Sequence, residues 1–168
     1  AYSNMASNDL LTGIVALKRG NLERAALSFQ AARMRYAELE SATIGLAVVD
    51  FMRHEPTAAQ TRLEAAEAAH VPFPFTSNEE LRRIATMRTA RGRLLAHTGQ
   101  TRAAADLLES AAAIGADNYG LHVELSQVYQ QLGFDGAANH HRRRAEQIRS
   151  ETYGSVDVAQ AMLLEMIR

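Results

Sequence analysis

The chain has 168 residues, of which 47% are hydrophobic and 22% charged, and its formal net charge is −1. This composition is typical of a globular protein and argues against global disorder. The near balance of 18 basic and 19 acidic residues argues against nucleic acid as the main partner. The absence of cysteine excludes disulfide, zinc-thiolate and thiol chemistry. No apolar stretch approaches the ~18 residues that span a bilayer, so we expect no membrane span.

The N-terminal stretch from Ala1 to Asp9 carries neither a basic segment nor an apolar run, so it does not predict a signal peptide. Because the sequence begins without methionine, a processed or trimmed chain that has lost a signal or lipid anchor is the alternative. The compartment therefore stays open. Of the two candidate locations, the cytoplasm is slightly favoured over the periplasm.

Four segments repeat one spacing of small, large and small side chains at i, i+4 and i+7. Residues spaced in this way share one face of a helix. The interval between the first two copies equals the interval between the last two. The copies are Ala25, Phe29 and Ala32; Ala59, Leu63 and Ala66; Ala104, Leu108 and Ala111; and Ala138, Arg142 and Ala145. The pattern predicts four equivalent helices.

A turn precedes each of these helices at a constant distance. Gly20, Gly99 and Gly133 lie five residues before the first small residue of their copies, and His54 takes that place in the second copy. Glycine at such a turn permits the left-handed backbone that ends a helix. A further helical pattern leads into every turn, so each repeat predicts a helical hairpin.

These features resemble the tetratricopeptide repeat (TPR) family, whose pattern reads L-G-x-x-Y, then Gly, then A-x-x-x-F-x-x-A, over about 34 residues. The resemblance covers residues 6–150 and implies an all-α, tetratricopeptide-like right-handed superhelix of four helical hairpins plus a C-terminal helix. A plain helix bundle is the alternative, but it does not require a repeat of constant length. The implied single domain, 1–168, holds repeats at about 6–39, 40–73, 78–118 and 119–152, and a terminal helix at 155–168.

An insertion separates the second copy from the third. About eleven extra residues fall at 70–78, where two prolines forbid a regular helix. Ser77 followed by Glu80 predicts a capping box that begins the next helix.

Three arginines stand where the TPR pattern has bulky apolar groups. They are Arg88, Arg91 and Arg142. We expect each to extend its charged end to the surface or to form an ion pair, with Glu64 or Glu67 as candidate partners for the first two.

No catalytic motif is present, so the chain is predicted not to be an enzyme and to bind no cofactor or metal. It lacks G-x-S-x-G, a glycine-rich phosphate loop, H-E-x-x-H and an acidic calcium loop. The six histidines are expected at exposed or edge positions. His140 and His141 point in different directions on a helix and cannot chelate one ion as an i, i+4 pair would. The basic run 140–144 is interpreted as a solvated helix face, with a nucleic-acid or membrane patch as the alternative.

The resemblance implies that a ligand contacts the inward face of the first helix in each hairpin. The groove would be apolar at its N-terminal end and polar at its C-terminal end. It would suit an amphipathic helix or an extended peptide, with an acidic group near Arg93. Alternatively, the apolar members pack as core. These inner-face residues, the predicted partner-binding set, are Leu10, Ile14, Leu17, Ile44, Val48, Phe51, Met52, Arg93, His97 and Gln127.

The sequence therefore predicts a non-catalytic scaffold that binds a protein or peptide. One alternative is the protein-binding arm of a larger bacterial regulator or of an envelope or secretion assembly, and another is an enzyme without a familiar motif. The terminal helix carries an apolar stripe, including Leu163 and Ile167, that is expected to cover the fourth hairpin. Val158 and Leu164 lie outside that stripe and predict an intermolecular contact such as a homo-oligomer, with the loss of a natural neighbour as the alternative.

Overall fold

The computed structural model describes residues 2–36, 40–69, 77–114, 117–151 and 162–167. Over these ranges the chain is helical without a strand, which confirms the prediction of an all-α fold. None of the helices found in them is long and apolar enough to cross a membrane. The helices are α1 (Tyr2–Lys18), α2 (Leu22–Arg35), α3 (Glu40–Met52), α4 (Pro56–Ala68), α5 (Asn78–His97), α6 (Thr101–Ala113), α7 (Tyr119–Gln131) and α8 (Asp135–Glu151).

Consecutive helices pair as hairpins. Helix α1 packs on α2, α5 on α6, and α7 on α8, and α3 is tied to α4 by an ion pair between Asp50 and Arg62 at 2.7 Å. The chain forms two compact units. The first unit spans Ala1–Ala66 together with Val158–Arg168, and the second unit spans Glu67–Asp157.

The turn inside each hairpin has the predicted left-handed residue. The φ angle is +72° at Gly20, +81° at Gly99 and +77° at Gly133, and His54 reaches +63° in the second hairpin. In every case the next residue donates its backbone N–H to a carbonyl five positions earlier, as Asn21 does to Ala16 at 2.9 Å. This is the Schellman arrangement, which satisfies the last carbonyls of a helix. One turn geometry thus serves all four hairpins.

In the first and third copies the large residue packs against glycine backbone. A Cβ atom on Gly13 of α1 would lie 2.4 Å from the Phe29 ring of α2, and one on Gly45 of α3 would lie 2.7 Å from that same ring. Gly92 of α5 faces Leu108 of α6 in the same way, at 2.6 Å. Real Cβ atoms do not approach so closely, so these helix pairs depend on the missing side chain.

The small and large residues of the repeat are buried as predicted in the first and third copies, and Ala59 and Leu63 are buried in the second. The fourth copy differs. Arg142 lies at the surface and donates to Asn139 at 2.9 Å, as the snorkelling alternative requires, while His141 is buried between Ala138 and Ala145. The large core residue of α8 is therefore the histidine and not the arginine, since i+3 and i+4 positions both lie beside the same stripe.

The capping box before α5 is confirmed. The Ser77 backbone N–H donates to Glu80 Oε2 at 3.0 Å, and the Glu80 backbone N–H donates to Ser77 Oγ at 3.2 Å. The first residues of the predicted insertion, 70–76, lie outside the described part of the chain.

The described C-terminal residues group with the first unit. Residues 162–164 form a helical turn, and Leu163 and Ile167 have exposed fractions of only 0% and 3%. Both belong to the first unit, whereas α7 and α8 of the fourth hairpin belong to the second. The expectation that this stripe covers the fourth hairpin stays a prediction. Leu164 is half-buried, and residues 155–161, with Val158 among them, are not described.

Replacing Gly13 with Ala should lower the free energy of unfolding by roughly 1–3 kcal/mol, because the added methyl group collides with the buried Phe29 ring. Gly136 of α8 provides a matched control, since nothing lies within 4 Å of its hypothetical Cβ. Urea denaturation of both variants would check this. Equal stability of Gly13→Ala and the parent would contradict the close packing.

Replacing His54 with Gly should raise the free energy of unfolding by about 0.5–1 kcal/mol. A left-handed residue other than glycine costs roughly 1–2 kcal/mol, and the entropy of the more flexible glycine offsets part of that gain. The reciprocal change, Gly20→Ala, has free space around it and should destabilise through backbone strain alone. In thermal denaturation, the melting temperature should rise for His54→Gly and fall for Gly20→Ala. A lower melting temperature for His54→Gly would count against strain at this turn.

Candidate functional site

Five of the predicted inner-face residues are buried in the first unit. Leu10, Ile14 and Leu17 lie on α1, and Ile44 and Val48 lie on α3. Their exposed fractions are all 8% or less, so they present almost no surface to a partner in this conformation. Their placement corresponds to the alternative in which they pack as core.

Two predicted residues remain partly accessible in the first unit. Phe51 and Met52 form the last turn of α3 and are half-buried. The turn that follows them, through His54, is exposed. They provide an apolar edge at the C-terminal end of this helix.

The remaining three predicted residues lie on α5 and α7 of the second unit. His97 and Gln127 are exposed, and Arg93 is half-buried. The Arg93 guanidinium forms an ion pair with Glu124 of α7. Burial raises the pKa of the Glu124 carboxyl, and the charge of Arg93 opposes that rise. This pair joins α5 to α7 beneath the polar surface that carries the other two residues.

The partner of Arg93 changes the ligand expected there. Its guanidinium is already paired with an internal carboxylate, so an acidic ligand group would have to compete with Glu124. Separating a half-buried ion pair is destabilising, because one charge is left without its partner. The pair is therefore better suited to holding α5 and α7 together than to binding an acidic group of a partner.

Arg88 and Arg91 pair with Glu67, one of the two partners expected for them. Arg88 donates to Glu67 Oε1 at 2.8 Å and to the hydroxyl of Ser110 at 3.2 Å, and Arg91 bonds the other carboxylate oxygen. One acidic side chain thus compensates two cations. These groups are largely buried and have a structural role.

The structure reveals a histidine pair that the sequence analysis missed. His122 Nδ1 lies 2.9 Å from His141 Nδ1, and the far nitrogen of His122 lies 2.7 Å from Asp117 Oδ1. The far nitrogen of His141 lies 3.4 Å from Glu109, which also accepts a 2.8 Å hydrogen bond from the Tyr129 hydroxyl. Both histidines are buried, so the expectation that histidines stay exposed is wrong for them. The feature of the sequence that could have indicated burial is the position of His141 on the same helix face as Ala138 and Ala145.

The contact between the two Nδ1 atoms limits the charge of the pair. One nitrogen must donate and the other must accept, so both rings cannot carry two protons at once. Burial lowers the pKa of His141, and the nearby Glu109 carboxylate opposes that effect. At one end of the network, the hydrogen bond from Arg144 lowers the pKa of Asp117. At the other, burial and Glu109 raise the pKa of Tyr129 to about 12.

The described residues contain no group of three or more His, Asp or Glu side chains that could hold a metal ion. His140 is exposed and His141 is buried, so these neighbours lie on different sides of α8. The residues of the basic run 140–144 also differ in their surroundings. His141 lies in the core and Arg144 pairs with Asp117.

Comparison with known proteins supports the fold. No protein-family model matches the chain, and no curated protein does so. A solved structure of the TPR-containing protein MamA, titled "MamA MSR-1 C2", is similar with a TM-score of 0.54 and 18% sequence identity, covering 88% of this chain and 79% of that chain. At this identity the likeness shows the fold alone. The chain has an all-α, TPR-like helical repeat fold.

The buried histidine pair predicts that the protein loses stability on acidification. His141 binds a proton less readily in the folded state than its ordinary pKa of 6.5 allows, so the unfolded chain takes up that proton first as the pH falls. The free energy of unfolding should decline below about pH 6.5, by at most ~1.4 kcal/mol per pH unit for one proton.

Urea denaturation between pH 7.5 and pH 5 would measure this slope. His141→Asn removes the titrating group and should flatten the curve, whereas His140→Asn changes an exposed neighbour and should leave it as in the parent. An unchanged slope in His141→Asn would rule out His141 as the source.

Proposed function

We propose that this chain is a non-catalytic scaffold that binds a segment of a partner protein on the accessible members of its inner-face residues. A TPR-like fold is typical of protein-interaction modules. The observation that carries the proposal is that equivalent positions of two consecutive hairpins present polar side chains to solvent. His97 and Gln131 occupy the same place in consecutive repeats and both are exposed. Arg93 and Gln127 are equivalent in the same way, the first half-buried and the second exposed.

The chemistry of this surface suits the backbone of a bound peptide. A glutamine amide both donates and accepts, as does a neutral imidazole, so each can bond a peptide N–H or C=O group. Gln127 and Gln130 share one exposed side of α7 at i and i+3. An extended segment leaves its backbone groups open to such contacts. We therefore expect the second unit to bind an extended peptide mainly by hydrogen bonds.

The fold holds these side chains in place without using them as core. The Arg93–Glu124 pair joins α5 to α7, and Leu121, Leu125 and Val128 bury the opposite side of α7. Substitution of the exposed residues should therefore affect binding more than stability. Phe51 and Met52 form a separate apolar edge in the first unit, which we propose as an anchor site for an aliphatic or aromatic side chain of the partner.

The double variant His97→Ala/Gln127→Ala should lose a binding partner that the parent retains. Immobilised parent and variant would be incubated with lysate of the source cells, and bound proteins quantified by mass spectrometry. We expect at least a tenfold loss for the specific partner with an unchanged melting temperature. The control, His140→Ala/Gln147→Ala, removes the same two residue types from exposed positions on α8 and should bind as the parent does. Equal capture by both variants would refute the proposed surface.

A further inference from the structure

The two units differ at equivalent inner-face positions. Ile14 and Val48, one repeat apart in the first unit, have exposed fractions of 1% and 0%. Arg93 and Gln127, which occupy the same repeat position in the second unit, are half-buried and exposed. The repeat geometry is shared, since the turns and the glycine packing recur in both units. The difference therefore requires an additional cover over the inner face of the first unit.

Helix α3 shows the extent of that cover. All residues from Ser41 to Asp50 are buried, so no side of this helix faces solvent over almost three turns. The side of α3 that contains Gly45 meets Phe29 of α2, and Asp50 pairs with Arg62 of α4. Neighbouring helices account for these sides, and α1 also packs on α3. The inner side, with Ile44 and Val48, is buried as well.

Among the described residues, the C-terminal ones are the part of the first unit that lies outside its hairpins. Leu163 and Ile167 are buried, and their i, i+4 spacing places them on one side of a helical turn. Glu165, between them, is exposed. The segment is thus amphipathic, with two buried aliphatic side chains and an exposed charge. Its aliphatic chemistry matches the isoleucine and valine side chains of the inner face.

We propose that the inner face of the first unit is a receptor for an amphipathic helical turn, and that the chain's own C-terminal segment, 162–167, occupies it. This inference rests on the proposed function, since it assigns a ligand class to the inner face of the first unit. The ligand carries two aliphatic side chains four residues apart. The five buried inner-face residues, Leu10, Ile14, Leu17, Ile44 and Val48, form the receptor floor.

Occupancy by a tethered segment makes the receptor self-closed. A tethered ligand acts at an effective concentration in the millimolar range, so a free ligand binds only to the fraction of molecules in which the segment has left. The apparent dissociation constant of that ligand rises by the inverse of the open fraction. A partner helix must therefore displace 162–167, and any change that weakens the segment increases binding.

A labelled synthetic peptide of residues 155–168 provides the probe. Its affinity for the full chain would be measured by fluorescence anisotropy for the parent and for the double variant Leu163→Asp/Ile167→Asp, whose own segment no longer fits an aliphatic floor. We expect the variant to bind the peptide at least tenfold more tightly than the parent. Glu165→Gln, which changes an exposed residue of the same segment, should bind as the parent does. A peptide carrying aspartate at 163 and 167 should not bind.

The variants also decide between the competing outcomes. If the double variant unfolds by circular dichroism, Ile167→Ala removes less apolar surface and should still increase peptide affinity severalfold. Equal affinity of a folded variant and the parent would overturn the proposal. Sedimentation of the parent as a dimer that the double variant dissolves would also overturn it, because the segment would then occupy a second copy. His97→Ala/Gln127→Ala should leave peptide binding unchanged. A failure of the binding surface proposed for the second unit can therefore be distinguished from a failure of the receptor proposed for the first unit.

Discussion

The contact between Phe29 and the backbone of two glycines sets the geometry on which the first unit depends. The ring lies on α2 and faces Gly13 of its own hairpin and Gly45 of the next, so one side chain holds three helices together. Helix axes can approach closely only where no side chain intervenes. Leu108 and Gly92 repeat this contact in the second unit. Adding one methyl group at any of these three glycines would require a fully buried side chain to shift in a closely packed core.

Charged residues are tolerated in this closely packed array because each has a specific partner. Arg88 and Arg91 share Glu67, and Arg93 pairs with Glu124. A buried charge without a partner is costly, whereas a paired and hydrogen-bonded one is close to neutral for stability. The histidine pair on α7 and α8 follows the same logic, because both rings have hydrogen-bond partners and the Nδ1–Nδ1 contact admits only one donor. The cost of these arrangements is sensitivity to pH.

The two units carry different chemistry on one type of hairpin. Apolar inner-face residues of the first unit are buried, and polar ones of the second unit are accessible. The hairpins share one turn geometry, while the residues at their inward positions differ. A polar surface for an extended peptide and an aliphatic receptor for a helical turn can therefore coexist in one chain. On our proposal, the aliphatic receptor is regulated by the C-terminal segment that occupies it.

The sequence by itself determined the features that rest on local interactions. The repeat spacing, the left-handed turns at Gly20 and its equivalents, and the Ser77–Glu80 capping box all follow from periodicity and from turn chemistry between residues a few positions apart. An ion pair of Arg88 and Arg91 with Glu64 or Glu67 was one of two expected outcomes, because a charge at a core position requires either a partner or a route to the surface.

Only the tertiary structure decided which of two adjacent residues on α8 enters the core. His141 and Arg142 both lie beside the Ala138–Ala145 stripe, and the packing of α6 and α7 around the histidine selects it. The burial of the inner face in the first unit and the position of Leu163 and Ile167 were likewise undetermined by local pattern. An apolar stripe indicates that one side of a helix must be buried against another surface. The covering surface lies far away along the chain, and no periodic signal connects the two.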